Sequence, residues 1–374
     1  MAEAFSLKDA LFNAGTVGTL SSRFAAADPG FPRTAFEAEV LAAFPSLELK
    51  LRIAHIAAVL DRILPQDFDA AADLIERALP PPLDPGKSDD DFGSFIFAPL
   101  GEVVVTRGLE AHFDRSMRAL LALTQRFSME FAIRPFLNRW PDRTLAVLSD
   151  WADHPHYHVR RLVSEGTRPR LPWGIGVGLA PGRTLPLLDR LHADPTRYVT
   201  RSVANHLNDI AKNHPALAVA AVERWRAQGR QDAGELGWMA GHALRTLVKN
   251  GHIPALRLLG FTPGEGVRVL RLRLDSAAVP AGGVLGFEVD LVAEADTRAV
   301  VDYRIDFARP GGKRAVKVFR LAPCDLLAGH TLTLAKRRRL LADATTYTLC
   351  PGRHGLAIGV NGKVLAEAPF EVTR

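Results

Sequence analysis

Cysteine is nearly missing from this chain. Cys324 and Cys350 are the only two among 374 residues, which excludes a disulfide framework and fits a reducing compartment. Long apolar runs are missing too: none approaches the roughly 20 residues of a membrane span, so no span is expected. The opening MAEAFSLKDALF has early acids and no basic segment leading into an apolar stretch. No secretory leader is therefore expected, and a cytoplasmic location is. Charge of a single sign is also absent: 47 Lys and Arg stand against 41 Asp and Glu, a formal net charge of +6. That excess is compatible with a polyanionic partner without requiring one. With 47% hydrophobic and 24% charged residues, the composition is that of an ordinary globular chain long enough for two domains.

What the chain does contain is an echo. Arg143–Pro155 reads RTLAVLSDWADHP, and Arg183–Pro195, forty positions on, reads RTLPLLDRLHADP. Val159 and Arg161 follow the first string, Val199 and Arg201 the second. A third, weaker copy runs near Gly237–Asn250, with Arg245 in the arginine slot. A period near 40 with two helical patterns per period predicts a HEAT-like repeat solenoid. Apolar spacing of three and four predicts helices over Ala35–Ala43, Glu48–Leu64, Phe68–Leu79 and Ala111–Arg126. The same spacing predicts Thr144–Ala152, Val159–Ser164, Thr184–His192, Thr200–Lys212 and Ala216–Gln228. Ser88–Gly93 (SDDDFG) reads as an acidic loop rather than a site.

From Gly266 the period switches to two. VRVLRLRL, VLGFEVDLVA, AVVDYRIDF and AVKVFRLA alternate apolar and polar residues between Gly, Pro, Asp and Asn, and the alternation continues to the end. Seven or eight short strands predict an immunoglobulin-like β-sandwich. The expected fold is therefore an all-α domain over 1–260 followed by a β-sandwich over 261–374. The second part holds 17 Lys and Arg against 12 Asp and Glu. Its basic clusters are Lys313, Arg314, Lys317 and Arg320, then Lys336, Arg337, Arg338 and Arg339. Each cluster reads as a solubilising surface or as a clamp for nucleic acid.

Two strings in the helical part rhyme: Glu130…Arg134-Pro135…Trp140 and Glu165…Arg168-Pro169…Trp173. The bland reading makes Arg-Pro a helix end, Trp a core residue and Glu a solvated one. Against it, Arg160, Arg161, Arg168 and Arg170 crowd around Glu165. A carboxylate among guanidiniums stays ionised and can stabilise a positive centre or orient a water. Glu165 also occupies the slot that Asn205 fills one repeat later and Lys249 the next. His154, His156 and His158 lack the spacing and partners of a metal set, so no metal is expected; backbone or phosphate contact is the second reading and solvent exposure the leading one.

The strings SMEFAIRPFL, HPHYHVRRLVSEGTRPRLPW and YVTRSVANHLNDIAKNHP resemble the bacterial AlkC family of DNA alkylation-repair glycosylases, relatives of AlkD built on HEAT-like repeats. The β tail is similar to the extra domain of a subset of that family. The resemblance implies hydrolysis of the N-glycosidic bond of cationic alkylated bases, especially 3-methyladenine and 3-methylcytosine, in double-stranded DNA. It implies no cofactor, a monomer, and cutting without extruding the base. By position in the motifs, Glu130 would be the carboxylate facing the lesion, Glu165 a second carboxylate, and Trp173 the wall against the sugar. Arg134, Arg160, Arg161 and Arg168 would hold DNA, with Arg201, Asn205, Asn208 and Arg245, and with Lys336, Arg337, Arg338 and Arg339 in the tail. Arg161, Arg201 and Arg245, equivalent in the repeat, are expected to form a basic stripe along phosphates. Asn205 and Asp209 could equally bond one repeat to the next. No placed lysine suggests lyase chemistry. The alternative reading is a non-catalytic scaffold that binds damaged DNA or a protein partner.

Overall fold

The computed structural model describes residues 6–89, 91–262, 266–342 and 349–373. Helices come first: α1 (Leu7–Leu11), α2 (Ala14–Ala27), α3 (Arg33–Ala43), α4 (Leu49–Ile63), α5 (Phe68–Ala78), α6 (Ala98–Gly108), α7 (Phe113–Thr124) and α8 (Ile133–Arg139). They continue as α9 (Pro141–Trp151), α10 (Tyr157–Gly166), α11 (Pro181–Leu191), α12 (Arg197–Ala211), α13 (Pro215–Gln228), α14 (Ala233–Ala243), α15 (Arg245–Lys249) and α16 (Ile253–Leu258). Among the described residues eight strands follow: β1 (Val267–Leu274), β2 (Ala278–Pro280), β3 (Val284–Ala293), β4 (Thr297–Ala308), β5 (Arg314–Leu326), β6 (Leu332–Arg339), β7 (Gly352–Val360) and β8 (Lys363–Thr373).

The sequence pattern does not announce α2, α6 or α8. Helix α2 (AGTVGTLSSRFAAA) is rich in small and polar residues, and its start depends on an Asn13–Thr16 capping box. In α6 (APLGEVVVTRG) only Glu102, Thr106 and Arg107 interrupt a nearly continuous apolar run. In α8 the Arg-Pro pair lies at the start: Pro135 is its third residue, where a missing N–H costs no helical hydrogen bond.

The chain divides into two compact units, Met1–Ile210 with Arg224–Met239, and Ala211–Glu223 with Ala240–Arg374. In the first, the echo becomes two helix pairs, α9–α10 and α11–α12. Residues forty apart do the same work: Thr144 and Thr184, Leu148 and Leu188, Val159 and Val199, and Val163 and Val203 are all buried. Repetition of core positions makes repetition of backbone, while the positions between them stay free to carry chemistry.

In the second unit, two sheets, β1-β3-β6 and β2-β8-β7-β4-β5, form an Ig-like sandwich. Strand pairs are antiparallel except β2 with β8. Alternate residues Leu285, Phe287, Val289 and Leu291 of β3 meet Val301, Tyr303, Ile305 and Phe307 of β4 in one core. Cys324 and Cys350 are half-buried free thiols, and burial pushes the Cys324 thiol up.

The strands begin at Val267, close to the expected change at 260, but compactness divides the chain earlier. On the outer face of β4, Val300 packs with Val248 and Leu256, flanked by Leu259 and Phe261. The β7–β8 turn, Asn361-Gly362, has positive φ at both residues (49° and 85°), as a two-residue hairpin of this hand requires. Asn361 Nδ2 donates to the Thr262 carbonyl at 2.6 Å, and Val300 N–H donates to Asn361 Oδ1 at 2.9 Å. A Cβ on Gly362 would stand 2.2 Å from the Gly251 Cα. Residues 240–262 thus fold with the sandwich.

Candidate active site

Helices α10 and α12, with the turn before α8, bring an alternating row of acids and bases together. Arg161 donates to Glu130 and, at 2.7 Å, to Ser128 Oγ, whose own hydroxyl lies 2.9 Å from Glu130 Oε2. The other guanidinium nitrogen of Arg161 is 3.5 Å from Glu165 Oε1. Arg168 Nη1 reaches the same oxygen at 2.6 Å, and its Nε donates to Asp209 Oδ2 at 2.8 Å. Glu165 Oε2 accepts from Ser202 Oγ at 2.6 Å. Three carboxylates thus surround the guanidiniums of Arg161 and Arg168, with the buried Arg134 guanidinium beside them. Glu130 is the most accessible of the three carboxylates, its side chain 17% exposed against 7% for Glu165 and 5% for Asp209.

Burial alone would raise the Glu165 pKa. Arg161 and Arg168, with the Ser202 and Arg168 hydrogen bonds, outweigh it and hold the carboxyl below its ordinary range. Burial likewise opposes the charge on Arg161, and the facing Glu130 and Glu165 carboxylates more than restore it. The pair is therefore charged, and Glu165 cannot serve as a proton donor near neutral pH.

Gly166 ends α10 where a Cβ would meet Ile133 Cγ2 at 2.6 Å, so only glycine lets that end approach α8. Beyond it runs the turn that carries Trp173. The indole residue is 54% exposed, and its φ of 66° lies in the left-handed region. A bulky residue pays strain to sit there unless its surroundings fix it. Arg134 supplies the fixing: its Nε donates to the Ile175 carbonyl at 2.5 Å, and Nη1 to the Gly166 and Arg168 carbonyls at 2.9 Å each. Lys50 adds an ammonium on the Trp173 carbonyl.

The expectation that Arg134 holds DNA is therefore corrected. It is fully buried, and burial, with Arg168 beside it, brings its pKa down to about 10. The rhyme between the two Glu…Arg-Pro…Trp strings is one of letters only. Trp140 follows the bland reading, with Nε1 donating to the Leu109 carbonyl at 2.7 Å under Arg139.

The arginines expected to form a basic stripe each have a partner within the chain. Arg161 serves the two glutamates, and Arg201, about one-third exposed, pairs with Asp89. Arg245 donates to the His242 carbonyl. Arg160 clasps Asp194 and the His154 and Pro155 carbonyls, and Arg168 belongs to the cluster above. Asn205 is half-buried and Asn208 buried, so Asn208 has no face for a phosphate. Asp209 takes the repeat-to-repeat role through Arg168. In the tail, Lys336, Arg337 and Arg339 are exposed on β6. Arg338 turns inward, its guanidinium 3.6 Å above the Phe319 ring and 3.3 Å from the Tyr303 hydroxyl.

Two of the three histidines are not solvated, and His154 is half-buried. His156 and His158 are buried, with Nε2 atoms 3.0 and 2.9 Å from the Leu83 and Asp91 carbonyls. No group of three potential ligands holds a metal among the described residues. Burial pushes His158 down to about 4, and His206, behind Glu165 with Nδ1 3.0 Å from the Ser164 carbonyl, down to about 4 as well. Both are neutral in the fold and ordinary when unfolded. Their contribution is complete above pH 6.5 and lost as pH falls toward 4, at about 3 kcal/mol each. A melting-temperature profile should decline across that window, and His206→Gln should flatten it. An unchanged slope in the variant would refute the assignment.

Sequence reasoning overlooked Ser128, Ser202 and Lys50. Ser202 alone carried a signal, lying three residues short of one repeat period after Glu165.

Residues 268–374 match a family described as the C-terminal Ig-like domain of the uncharacterised protein YhaZ. Over 366 residues, 97% of this chain and 98% of the relative, the sequence is 31% identical to the uncharacterized protein YhaZ of Bacillus subtilis (strain 168). The structure is also similar to that of Pseudomonas fluorescens alkylpurine DNA glycosylase AlkC bound to DNA containing an abasic site analog. That match has a TM-score of 0.89 and 34% identity, covering 99% of this chain and 100% of the other. With likeness of that extent along its whole length, this chain belongs to the AlkC family, in the form that ends in an Ig-like domain.

Proposed function

We propose that this protein is a monofunctional DNA glycosylase that hydrolyses the N-glycosidic bond of cationic alkylated bases, 3-methyladenine and 3-methylcytosine, in duplex DNA. The observation that carries the reading is the Glu130–Arg161–Glu165 bridge, which leaves Glu130 as its most accessible carboxylate, with an exposed Trp173 held on a strained turn. A base made cationic by methylation leaves as a neutral molecule, taking the glycosidic electron pair with it. No strong general acid is needed, and the ionised Glu165 offers none. What the reaction requires is negative charge near the sugar as oxocarbenium character develops, and a positioned water to attack C1′. Glu130, the accessible carboxylate, supports the positive sugar and accepts the proton of the attacking water. Glu165 fixes Arg161, and through it the orientation of Glu130. Trp173 lies against the deoxyribose, and the base is cut without being drawn into a closed pocket.

Incubation with methylated duplex DNA should release free 3-methyladenine and 3-methylcytosine and leave abasic sites with the strand intact. Binding without release would favour the scaffold reading. Strand cleavage would point to Lys50 as an amine nucleophile.

The Ig-like domain adds non-specific backbone affinity through Lys336, Arg337 and Arg339, and the protein acts as a monomer in the bacterial cytoplasm. Substituting these three residues by alanine should lower the dependence of log K on log salt by two to three contacts, at about 0.9 per contact. An unchanged salt slope would remove the tail from the interface. Charge removal is a cleaner test than deletion from residue 261, which would also strip the cover from Val248 and Leu256.

A further inference from the structure

The acidic loop that the sequence presents as mere connection is pinned at Leu83, Ser88, Asp89 and Asp91. Leu83 N–H donates to the Gln125 carbonyl at 2.9 Å, and the Leu83 carbonyl lies 3.0 Å from His156 Nε2. The Ser88 carbonyl accepts from Tyr198 N–H at 3.0 Å, Asp89 pairs with Arg201, and the Asp91 carbonyl lies 2.9 Å from His158. Gly93 closes the strap at φ 74°, where a Cβ would stand 1.9 Å from the Arg126 carbonyl oxygen. Buried neutral histidines hold two of these ties, so the strap's course is determined by the same helices that carry the carboxylates.

Yet the strap leaves one large apolar side chain in the open. Phe92 is 50% exposed, its ring 5.5 Å from that of Tyr198 in an edge arrangement. Tyr198 is buried, and Arg161 lies 4.9 Å from its ring on the way to Glu130 and Glu165. Phe92 is thus two side-chain contacts from the charged centre. A strap that served only to close the fold would gain by turning this ring inward, since exposed apolar area is unfavourable.

We infer that Phe92 is a substrate-contacting residue, whose ring packs against the nucleotide next to the lesion in duplex DNA. This rests on the glycosylase reading for its substrate. The contact is indifferent to base identity, because every base offers a π-face. It belongs to damaged DNA in particular, where a weakened stack gives the ring access.

The test uses the full chain and its Phe92→Ala, Phe92→Leu and Phe92→Trp variants. Affinity is measured by fluorescence anisotropy for a duplex holding an abasic-site analogue and for the same duplex unmodified, with single-turnover base release alongside. Loss of one base–aromatic stack predicts about tenfold weaker binding of the abasic duplex for the Ala and Leu variants. The unmodified duplex should change less than about twofold, and Trp should restore affinity. The Leu variant keeps apolar contact with Tyr198, so an unchanged melting temperature in it separates contact from folding. Parental affinity of the Leu variant for the abasic duplex would overturn the inference, as would equal losses on both duplexes. If the parental chain releases no alkylated base while the Phe92 dependence persists, the glycosylase reading fails and this inference stands. If release occurs and does not depend on Phe92, the reverse holds.

Discussion

Glu130→Gln should reduce single-turnover excision by about 10²–10³ and lower the melting temperature less than Glu165→Gln does. Removing one preorganised charge from a developing ionic centre has that magnitude, and the Glu130 side chain is the least buried of the three carboxylates. Glu165→Gln should cost a similar factor for a different reason. Both of its oxygens are engaged, by Arg168 and Ser202, so it cannot turn toward a substrate. Its loss leaves two buried guanidiniums short of a carboxylate, and breaking such a cluster costs about 3–5 kcal/mol of stability. The two variants should therefore separate by degree: both slow, with Glu165→Gln the more readily melted. Neither should alter affinity for undamaged duplex by more than about twofold. Parental excision rates in both would remove these residues from the site.

Arg134 carries the second large effect. Arg134→Met should lower stability by about 3–5 kcal/mol, because the Gly166, Arg168 and Ile175 carbonyls lose their shared donor, and each unpaired buried group costs about 1–3 kcal/mol. Arg134→Lys is the informative variant. A compact ammonium keeps the charge but cannot span three carbonyls set for a planar fork. The Lys variant should fold, shift the Trp173 turn, and lose excision by about tenfold while its affinity for undamaged duplex is retained. Thermal denaturation, tryptophan fluorescence and base release read the three consequences separately. A Lys variant with parental excision and parental fluorescence would show that Trp173 holds its position without the fork.

The repeat was legible because core positions recur at fixed spacing and side-chain volume is constrained there. Leu148 and Leu188, or Val159 and Val199, could be paired from the sequence before any coordinates. Glu130, Glu165 and Trp173 were legible only as a resemblance of motif, and the spacing of letters misled where it was used alone. Arg134-Pro135 and Arg168-Pro169 look alike, yet one begins a helix and is buried while the other lies in a turn. A one-dimensional string does not say which side of a helix faces a neighbour. Equal positions in the repeat meet different partners for the same reason, Glu130 at Arg161 and Asp89 at Arg201. Partners far along the chain leave no local trace, as with Asp89, 112 residues before Arg201. Nor does a histidine string reveal that its rings turn inward to carbonyls more than 60 residues earlier.

The hydrogen bond from Asn361 to Thr262 joins residues 99 apart in sequence, and that separation bears on the order of events during synthesis. A nascent chain emerging from the ribosome can complete the α9–α10 and α11–α12 pairs from contacts close at hand. It cannot cover Val248 and Leu256 until β4 has emerged, nor seat Gly251 against Gly362 until the final hairpin is made. The last helices before the sandwich are thus among the last parts of the protein to become whole. A chain cut short before β4 leaves that apolar surface for chaperones and proteases to find.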